Sequence, residues 1–358
     1  MKQIILVAAA LVAVGCAAPT SSSSEDTASS SDALKTFHVV DHSDPIPLEV
    51  FEKLVHFEKL TKSDLDKVYR IEHDIDVASD RTIHATESFT LRSWLAFPRK
   101  GIMLIPGPVT NAAWFNIPVD GYDSGTILSQ DGYFSWNVDL EGVGKSSFPA
   151  NGQVCDTQRG VDDLTPVMQI LREERWVPKV DVLGESWGGG IATELCALND
   201  ARSCVLSSML YKNTTAFGAA NFLTPEFHAY LDSLTTGYFP TTAPFYLQFV
   251  SASPVALQNF TFTAEPGNYA DAALYAPFSM PWFDPTNARV PALVLYGDQD
   301  PTVEVSDAQD LVNDYGASSK GSAKLVVLTG AGHVPRVETA ASSVWWSDVL
   351  AFLHSIKE

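Results

Sequence analysis

One pentapeptide in this chain has the residue types and spacing of a nucleophile. Gly184-Glu185-Ser186-Trp187-Gly188 fits G-x-S-x-G. Val180, Val182 and Leu183 before it make a short apolar run suited to a buried parallel strand. Gly189 to Leu198 after it is helix-like and rich in Ala and Leu. A serine at the centre of such a strand–turn–helix junction is forced into strained backbone geometry, which lifts its hydroxyl clear of the sheet edge. Gly184 and Gly188 suit the turn because a Cβ at either position would collide with the neighbouring strand or helix. The helix N-terminus behind Ser186 offers backbone N–H groups to a developing negative charge.

A serine hydroxyl is a poor nucleophile until a base accepts its proton. The chain has eight histidines. His38, His42, His56, His73 and His84 precede the central apolar strands, His228 falls in an aromatic-rich insertion, and His354 is on the terminal helix. His333 alone lies in a Gly-rich turn beyond a buried strand, in Gly330-Ala331-Gly332-His333-Val334-Pro335. An acid is needed to orient the imidazole and to stabilise its protonated form. Asp298 and Asp300 both follow the apolar run Ala292 to Tyr296, and Asp298 also suits a turn-capping carboxylate.

With its GESWG turn in strand–turn–helix context and the order Ser…Asp…His, the chain resembles the α/β-hydrolase superfamily over about residues 85–357. The resemblance implies an α/β fold with a mostly parallel, doubly wound sheet and a cap inserted before the penultimate strand. It implies cleavage of an ester, or less readily an amide, through an acyl-Ser186 intermediate, with no cofactor and no metal. The family's acid stands three residues after the strand-end Gly, which selects Asp300 after Gly297. The family's other acid position, after the strand Ser203 to Met209, holds no acidic residue. Trp187 supplies one oxyanion N–H from its backbone, and its ring is expected to pack under the cap. Ser at the turn disfavours the dehalogenase and epoxide-hydrolase branches, which use Asp there. Ser-Trp-Gly also resembles the proline iminopeptidase branch, whose His-Gly-Gly-Pro-Gly loop is absent here.

The loop after Ile102-Met103-Leu104-Ile105 departs from the family pattern, in which His-Gly-x supplies the second oxyanion donor. Here it reads Pro106-Gly107-Pro108, and Pro108 has no N–H to give. The donor is then Val109 through its backbone or Asn111 through its side chain. A missing donor costs about 2–4 kcal/mol in the transition state. A loop without any donor would instead fit a catalytically silent binding lipoprotein on a hydrolase scaffold.

The strands and helices that carry these residues can be traced by period. Tyr69, Ile71, His73, Ile75 and Val77 alternate with charged neighbours, and Phe89, Leu91, Ser93, Leu95 and Phe97 do so more loosely, which predicts two half-buried strands. Asp139 to Ser146 resembles the family's D-x-x-G-x-G-x-S loop. Its role is structural, since no phosphate-loop spacing is present. A helix is predicted from about Val161 to Arg175, returning the chain to the Ser186 strand. After Met209 regular pattern is lost, and residues 210–283 hold seventeen Phe, Tyr and Trp, the mark of an inserted cap. Most are the cap's own core, while some among Phe217, Phe222, Phe245 and Trp282 are expected to face the pocket and favour an apolar acyl or aryl substrate. A helix from about Val305 to Tyr315, a strand Lys324 to Leu328 and a terminal helix Ser343 to Ile356 complete the core, which spans residues 71–209 and 284–358. Residues 37–70 read as helical, from about Pro47 to Leu60 and again over Ser63 to Tyr69.

The ends and the composition place the protein. At 358 residues with 46% hydrophobic content the chain can bury a large core, and its net charge of −20 argues against nucleic acid as a partner. Lys2, an apolar stretch from Ile4 to Val14 and Gly15-Cys16-Ala17-Ala18 form a signal segment, residues 1–18, too short in its apolar part to span a bilayer. Val12 to Cys16 resembles a bacterial lipobox with Ala13 where Leu is preferred, so Cys16 is the expected lipidation site. Cleavage after Ala18 and simple secretion is the alternative. Residues 19–36 form a Ser-rich tether. Cys155, Cys196 and Cys204 show neither metal-site spacing nor a disulfide framework.

Overall fold

The computed structural model describes residues 60–108, 110–212 and 283–357, with positions 229, 233, 236–239 and 267–268 between them. The expected signal segment and tether, most of residues 37–70 and most of the expected cap, residues 210–283, lie outside the described residues. So do Cys16, Val109, Phe217, Phe222, Phe245 and Trp282.

Eight strands form one sheet in the order β1-β2-β4-β3-β5-β6-β9-β10. They are β1 Val68–Ala78, β2 Arg81–Thr90, β3 Lys100–Ile105, β4 Tyr133–Val138, β5 Val180–Glu185, β6 Ala201–Ser207, β9 Pro291–Gly297 and β10 Ser322–Leu328. β1 pairs antiparallel with β2, and β2 antiparallel with β4. All later pairs are parallel. A minor ladder, β7 Tyr238–Phe239 with β8 Gly267–Asn268, belongs to the inserted segment. The helices are α1 Lys62–Asp66, α2 Leu91–Leu95, α3 Ser124–Gln130, α4 Thr157–Arg175, α5 Trp187–Leu195, α6 Val305–Asp314 and α7 Ser342–Ser355.

The continuous apolar runs in β3, β5 and β9 follow from burial on both faces. Alternate residues of one strand enter opposite cores. Met103, Ile105 and Val182 pack with Leu164, Val167, Met168 and Leu171 of α4 and with Ile191 and Leu195 of α5. Ile102, Leu104, Leu183 and Val205 pack with Leu128 of α3 and with Trp345, Val349 and Leu353 of α7. Helices therefore cover both faces, and every parallel strand ends at the same sheet edge, where ligands of such folds bind.

Three expectations need correction. The alternation from Phe89 to Phe97 is not a second strand: β2 occupies Arg81–Thr90, and Leu91–Leu95 is helical. Thr90 and Ser93 form a reciprocal cap, each side chain bonded to the other's backbone N–H, at 3.1 and 3.3 Å. That local pairing closes a helical turn which the apolar period alone does not reveal. Near the N-terminus the second helical stretch is only Lys62–Asp66, capped by Thr61 and Asp64, and β1 begins at Val68. The helix before the Ser186 strand begins earlier than its apolar period suggests, at Thr157, because Asp156 accepts the N–H of Arg159 at 2.8 Å.

Candidate active site

β5 delivers Ser186 to the sheet edge between β3 and β6. The turn into α5 is as tight as its glycines imply. A Cβ on Gly184 would lie 2.2 Å from the carbonyl oxygen of Gly188, and one on Gly188 would lie 2.4 Å from that of Pro106. Ser186 has φ +52°, a left-handed value that costs a non-glycine residue of order 1–3 kcal/mol. The surrounding structure holds it there. Its N–H donates to Ser207 at the end of β6 at 2.9 Å, and its carbonyl accepts from Gly189 in the first turn of α5 at 2.9 Å.

The turns after β9 and β10 bring their side chains to the same place. His333 Nε2 lies 3.1 Å from Ser186 Oγ, and its Nδ1 lies 2.8 Å from Asp300 Oδ2. The other carboxylate oxygen of Asp300 accepts backbone N–H groups from Thr302 and Val303 at 2.7 and 3.0 Å. Asp300 therefore has a fixed face toward the imidazole. Asp298 is exposed and accepts the Gly330 N–H at 2.6 Å, so it ties the two turns together without touching His333. Ser186, Asp300 and His333 are brought together in one hydrogen-bonded line.

Electrostatics suit a base. Burial by itself presses the His333 pKa down. The charge and hydrogen bond of Asp300, with the charges of Glu185 and Glu338, overcome that and leave it above the ordinary histidine range. With Asp300 accepting the Nδ1 proton, neutral His333 presents Nε2 as the acceptor for the serine proton.

The loop after β3 lies directly on Ser186. A Cβ on Gly107 would stand 3.2 Å from Ser186 Cβ and 3.7 Å from Oγ. The Thr110 hydroxyl donates to the Gly107 carbonyl at 2.7 Å. Asn111 caps the short 3-10 helix Ala112–Trp114, where its side-chain oxygen accepts from Ala113 N at 3.0 Å. Asp139, the first residue of the D-x-x-G-x-G-x-S loop, accepts from Ala112 N at 2.5 Å and from Lys145 N at 2.8 Å. That loop thus braces the segment beyond Gly107, a structural role. The ring of Trp187 sits over the start of α4, its Nε1 donating to the Thr157 hydroxyl at 3.0 Å.

Sequence reasoning passed over four residues that the structure gathers beside this line. Glu185, Arg336, Trp114 and Glu338 are all buried. Glu338 accepts the Gly332 N–H at 2.9 Å, which closes the turn bearing His333. The available signal was an Arg and a Glu inside the otherwise apolar run Val334 to Val337 and its end. Long charged side chains there need buried partners.

The comparisons with known proteins agree with this layout. A model of the Alpha/beta hydrolase family matches residues 102–342. No curated protein matches the chain. Among solved structures, an esterase from Exiguobacterium antarcticum is similar with a TM-score of 0.56 at 17% identity, covering 80% of this chain and 100% of that one. A putative lipase from Acinetobacter baumannii AYE gives 0.57 at 15% identity over 88% and 98%. A thermophilic esterase from Thermogutta terrifontis gives 0.55 at 16% identity over 81% and 100%. At such identities the likeness is one of fold. The family match spans well over half of the chain and contains the Ser186 turn, Asp300 and His333, so this protein belongs to the alpha/beta hydrolase family.

Proposed function

We propose that the protein is an exported serine hydrolase that cleaves a carboxylic ester of a hydrophobic small molecule through an acyl-Ser186 intermediate. The observation that carries this reading is the imidazole of His333 held between Asp300 and the Ser186 hydroxyl, at 2.8 and 3.1 Å, on a strained turn at the carboxyl edge of a parallel sheet. In the acylation step His333 Nε2 takes the Ser186 proton as Oγ attacks the ester carbonyl carbon. Asp300 stabilises the resulting imidazolium, and the same proton is returned to the departing alcohol oxygen. Water then repeats the sequence on the acyl-enzyme and releases the acid.

The backbone N–H of Trp187 is assigned to the oxyanion, since the first N–H groups of a helix have no acceptor within the helix. Val109 or Asn111 is assigned the second contact. The seat of Gly107 against Ser186 supports a loop that faces the nucleophile. Preference for an apolar acyl or aryl group is supported by the seventeen aromatics of residues 210–283. Export with a lipid at Cys16 is supported by the signal-like residues 1–18 and the Ser-rich stretch after them.

The test pairs a fluorophosphonate probe with p-nitrophenyl esters of graded chain length and amino-acyl p-nitroanilides. Labelling confined to Ser186, ester turnover that rises with acyl length, and loss of both in Ser186→Ala are the expected results. Turnover of the anilides alone would transfer the reading to an aminopeptidase, and no labelling at Ser186 would make the scaffold a binding protein.

A further inference from the structure

Three segments meet beside Ser186, and one buried ion pair joins all of them. Glu185 is the residue before the nucleophile, at the end of β5. Arg336 lies three residues beyond His333. Trp114 ends the short 3-10 helix that follows the Pro106-Gly107-Pro108 loop. Arg336 Nε donates to Glu185 Oε1 at 3.0 Å, and Nη2 donates to Oε2 at 3.2 Å. The same Nη2 donates to the Trp114 carbonyl at 3.0 Å, while Nη1 lies 3.5 Å from Ser124 Oγ. The indole N–H of Trp114 donates back to Glu185 Oε2. The guanidinium also lies over the ring of Phe115, 4.7 Å from its centroid. Arg336 has 0% of its surface exposed and Glu185 5%.

Removing two charges from water is costly, and well-packed apolar residues of similar volume often serve a core as well or better. A forked, two-bond pair supplies something packing does not, a fixed distance and angle between the segments that carry it. Here those segments hold the nucleophile, the base and the loop seated on the nucleophile. Their relative placement decides whether the Ser186–His333 contact is productive.

We infer that Glu185 and Arg336 are positioning residues for the ester hydrolysis proposed above, locking the His333 turn and the Pro106–Pro108 loop onto the Ser186 turn. The inference rests on that reading of Ser186. It has a second, electrostatic consequence. The charged groups acting on His333 are Asp300, Glu185 and Glu338, and Arg336 screens Glu185. Removing the Glu185 charge lowers the His333 pKa, and removing Arg336 raises it. Those shifts follow from charge alone; a loss of kcat at unchanged KM in folded protein is what a role confined to holding the fold together does not produce.

The experiment is steady-state hydrolysis of p-nitrophenyl butyrate as a function of pH, in the full-length protein. The variants are Glu185→Gln, Arg336→Met, Arg336→Lys and the double Glu185→Gln/Arg336→Met. Each neutralising single variant is expected to lose about 10²-fold in kcat with KM nearly unchanged, the effect of a reacting group displaced by about 1 Å. The acid limb of kcat/KM moves to lower pH in Glu185→Gln and to higher pH in Arg336→Met. Arg336→Lys keeps the charge but not the fork, so its limb stays in place while kcat falls. The double variant leaves no unpaired buried charge and keeps the fold testable where a single variant does not fold. Its kcat stays low, because the fork is gone. Wild-type kcat in the folded double variant, or limbs that shift in the same direction or not at all, would overturn the inference. Ser186→Ala separates the two readings. If that variant is inactive while the double variant is fully active, the positioning role falls alone; if Ser186→Ala itself remains active, both fall.

Discussion

Replacing Asp300 by Asn tests the acid at the level of single hydrogen bonds. Asp300 Oδ1 accepts two backbone N–H groups, from Thr302 and Val303, and Oδ2 faces His333 Nδ1 at 2.8 Å. An asparagine in this seat has one carbonyl oxygen and one amide group to place. Turning the amide toward Thr302 and Val303 would oppose donors to donors and lose two bonds of about 1 kcal/mol each, so the oxygen stays there. The NH2 group must then face His333 Nδ1, which has to become an acceptor. The imidazole proton moves to Nε2, where it points at Ser186 Oγ and leaves no base. With geometry intact and the tautomer reversed, kcat falls by about 10⁴-fold.

The sign of the pH effect follows from the same contacts. The Asp300 charge and hydrogen bond are the largest influences that raise the His333 pKa against burial, so their loss lets burial lower it. Activity needs the neutral imidazole, and the acid limb of the residual kcat/KM therefore shifts to lower pH. Stopped assays with p-nitrophenyl butyrate from acid to neutral pH, beside near-ultraviolet circular dichroism, measure both. Asp298→Asn serves as control, since its carboxylate only accepts Gly330 N–H, and a change in kcat of less than about threefold is expected, the scale of one exposed hydrogen bond. Asp300→Asn with more than a tenth of wild-type kcat, or a larger loss in Asp298→Asn, refutes the assignment.

Other perturbations probe the frame. His333→Ala is expected to lose about as much kcat as Ser186→Ala, because the two act as a unit, and a double variant no worse than either single one checks this. Gly188→Ala places a methyl 2.4 Å from the Pro106 carbonyl and 2.5 Å from that of Ile105. Backbone must move, and urea unfolding should show a loss of about 1–3 kcal/mol; an unchanged midpoint would mean that the two backbones do not cross this tightly. Gly107→Ala puts a methyl 3.7 Å from Ser186 Oγ, in space an attacked carbonyl needs, so kcat/KM should fall about tenfold or more with the thermal midpoint held. Retained kcat/KM would place the substrate on another side of the serine. Cys16→Ser should move the protein from the membrane fraction to the soluble exported fraction or block its processing, and unchanged membrane association would remove the lipid from the account.

Much of the site was legible in the chain because it is written in local patterns. A buried parallel strand needs a continuous apolar run, and a sharp strand-to-helix turn needs small residues where backbones cross. VDVLGESWGGG therefore announces both Ser186 and its strained turn before any tertiary contact is known. The same logic marks the turns after β9 and β10, where apolar runs end in glycine beside Asp300 and His333. The break at Leu91 was not legible, because the Thr90–Ser93 cap competes with the strand through two hydrogen bonds that leave the apolar alternation intact.

Which groups meet is set by tertiary contacts alone. Between two aspartates two residues apart, the family's spacing selects Asp300, but no local pattern shows which carboxylate reaches the imidazole. The chain direction after Gly297 turns Asp300 inward to His333 and leaves Asp298 outward on Gly330. Glu185, Arg336 and Trp114 are separated by up to 222 residues, and no local period records their meeting. Their contact exists because parallel strands β3 and β5 lie side by side and end together, with the turn after β10 folded over the same edge. Periodicity reports which face of an element is buried; the identity of the partner across that face is set by strand order and by the unmet charge of the side chain placed there.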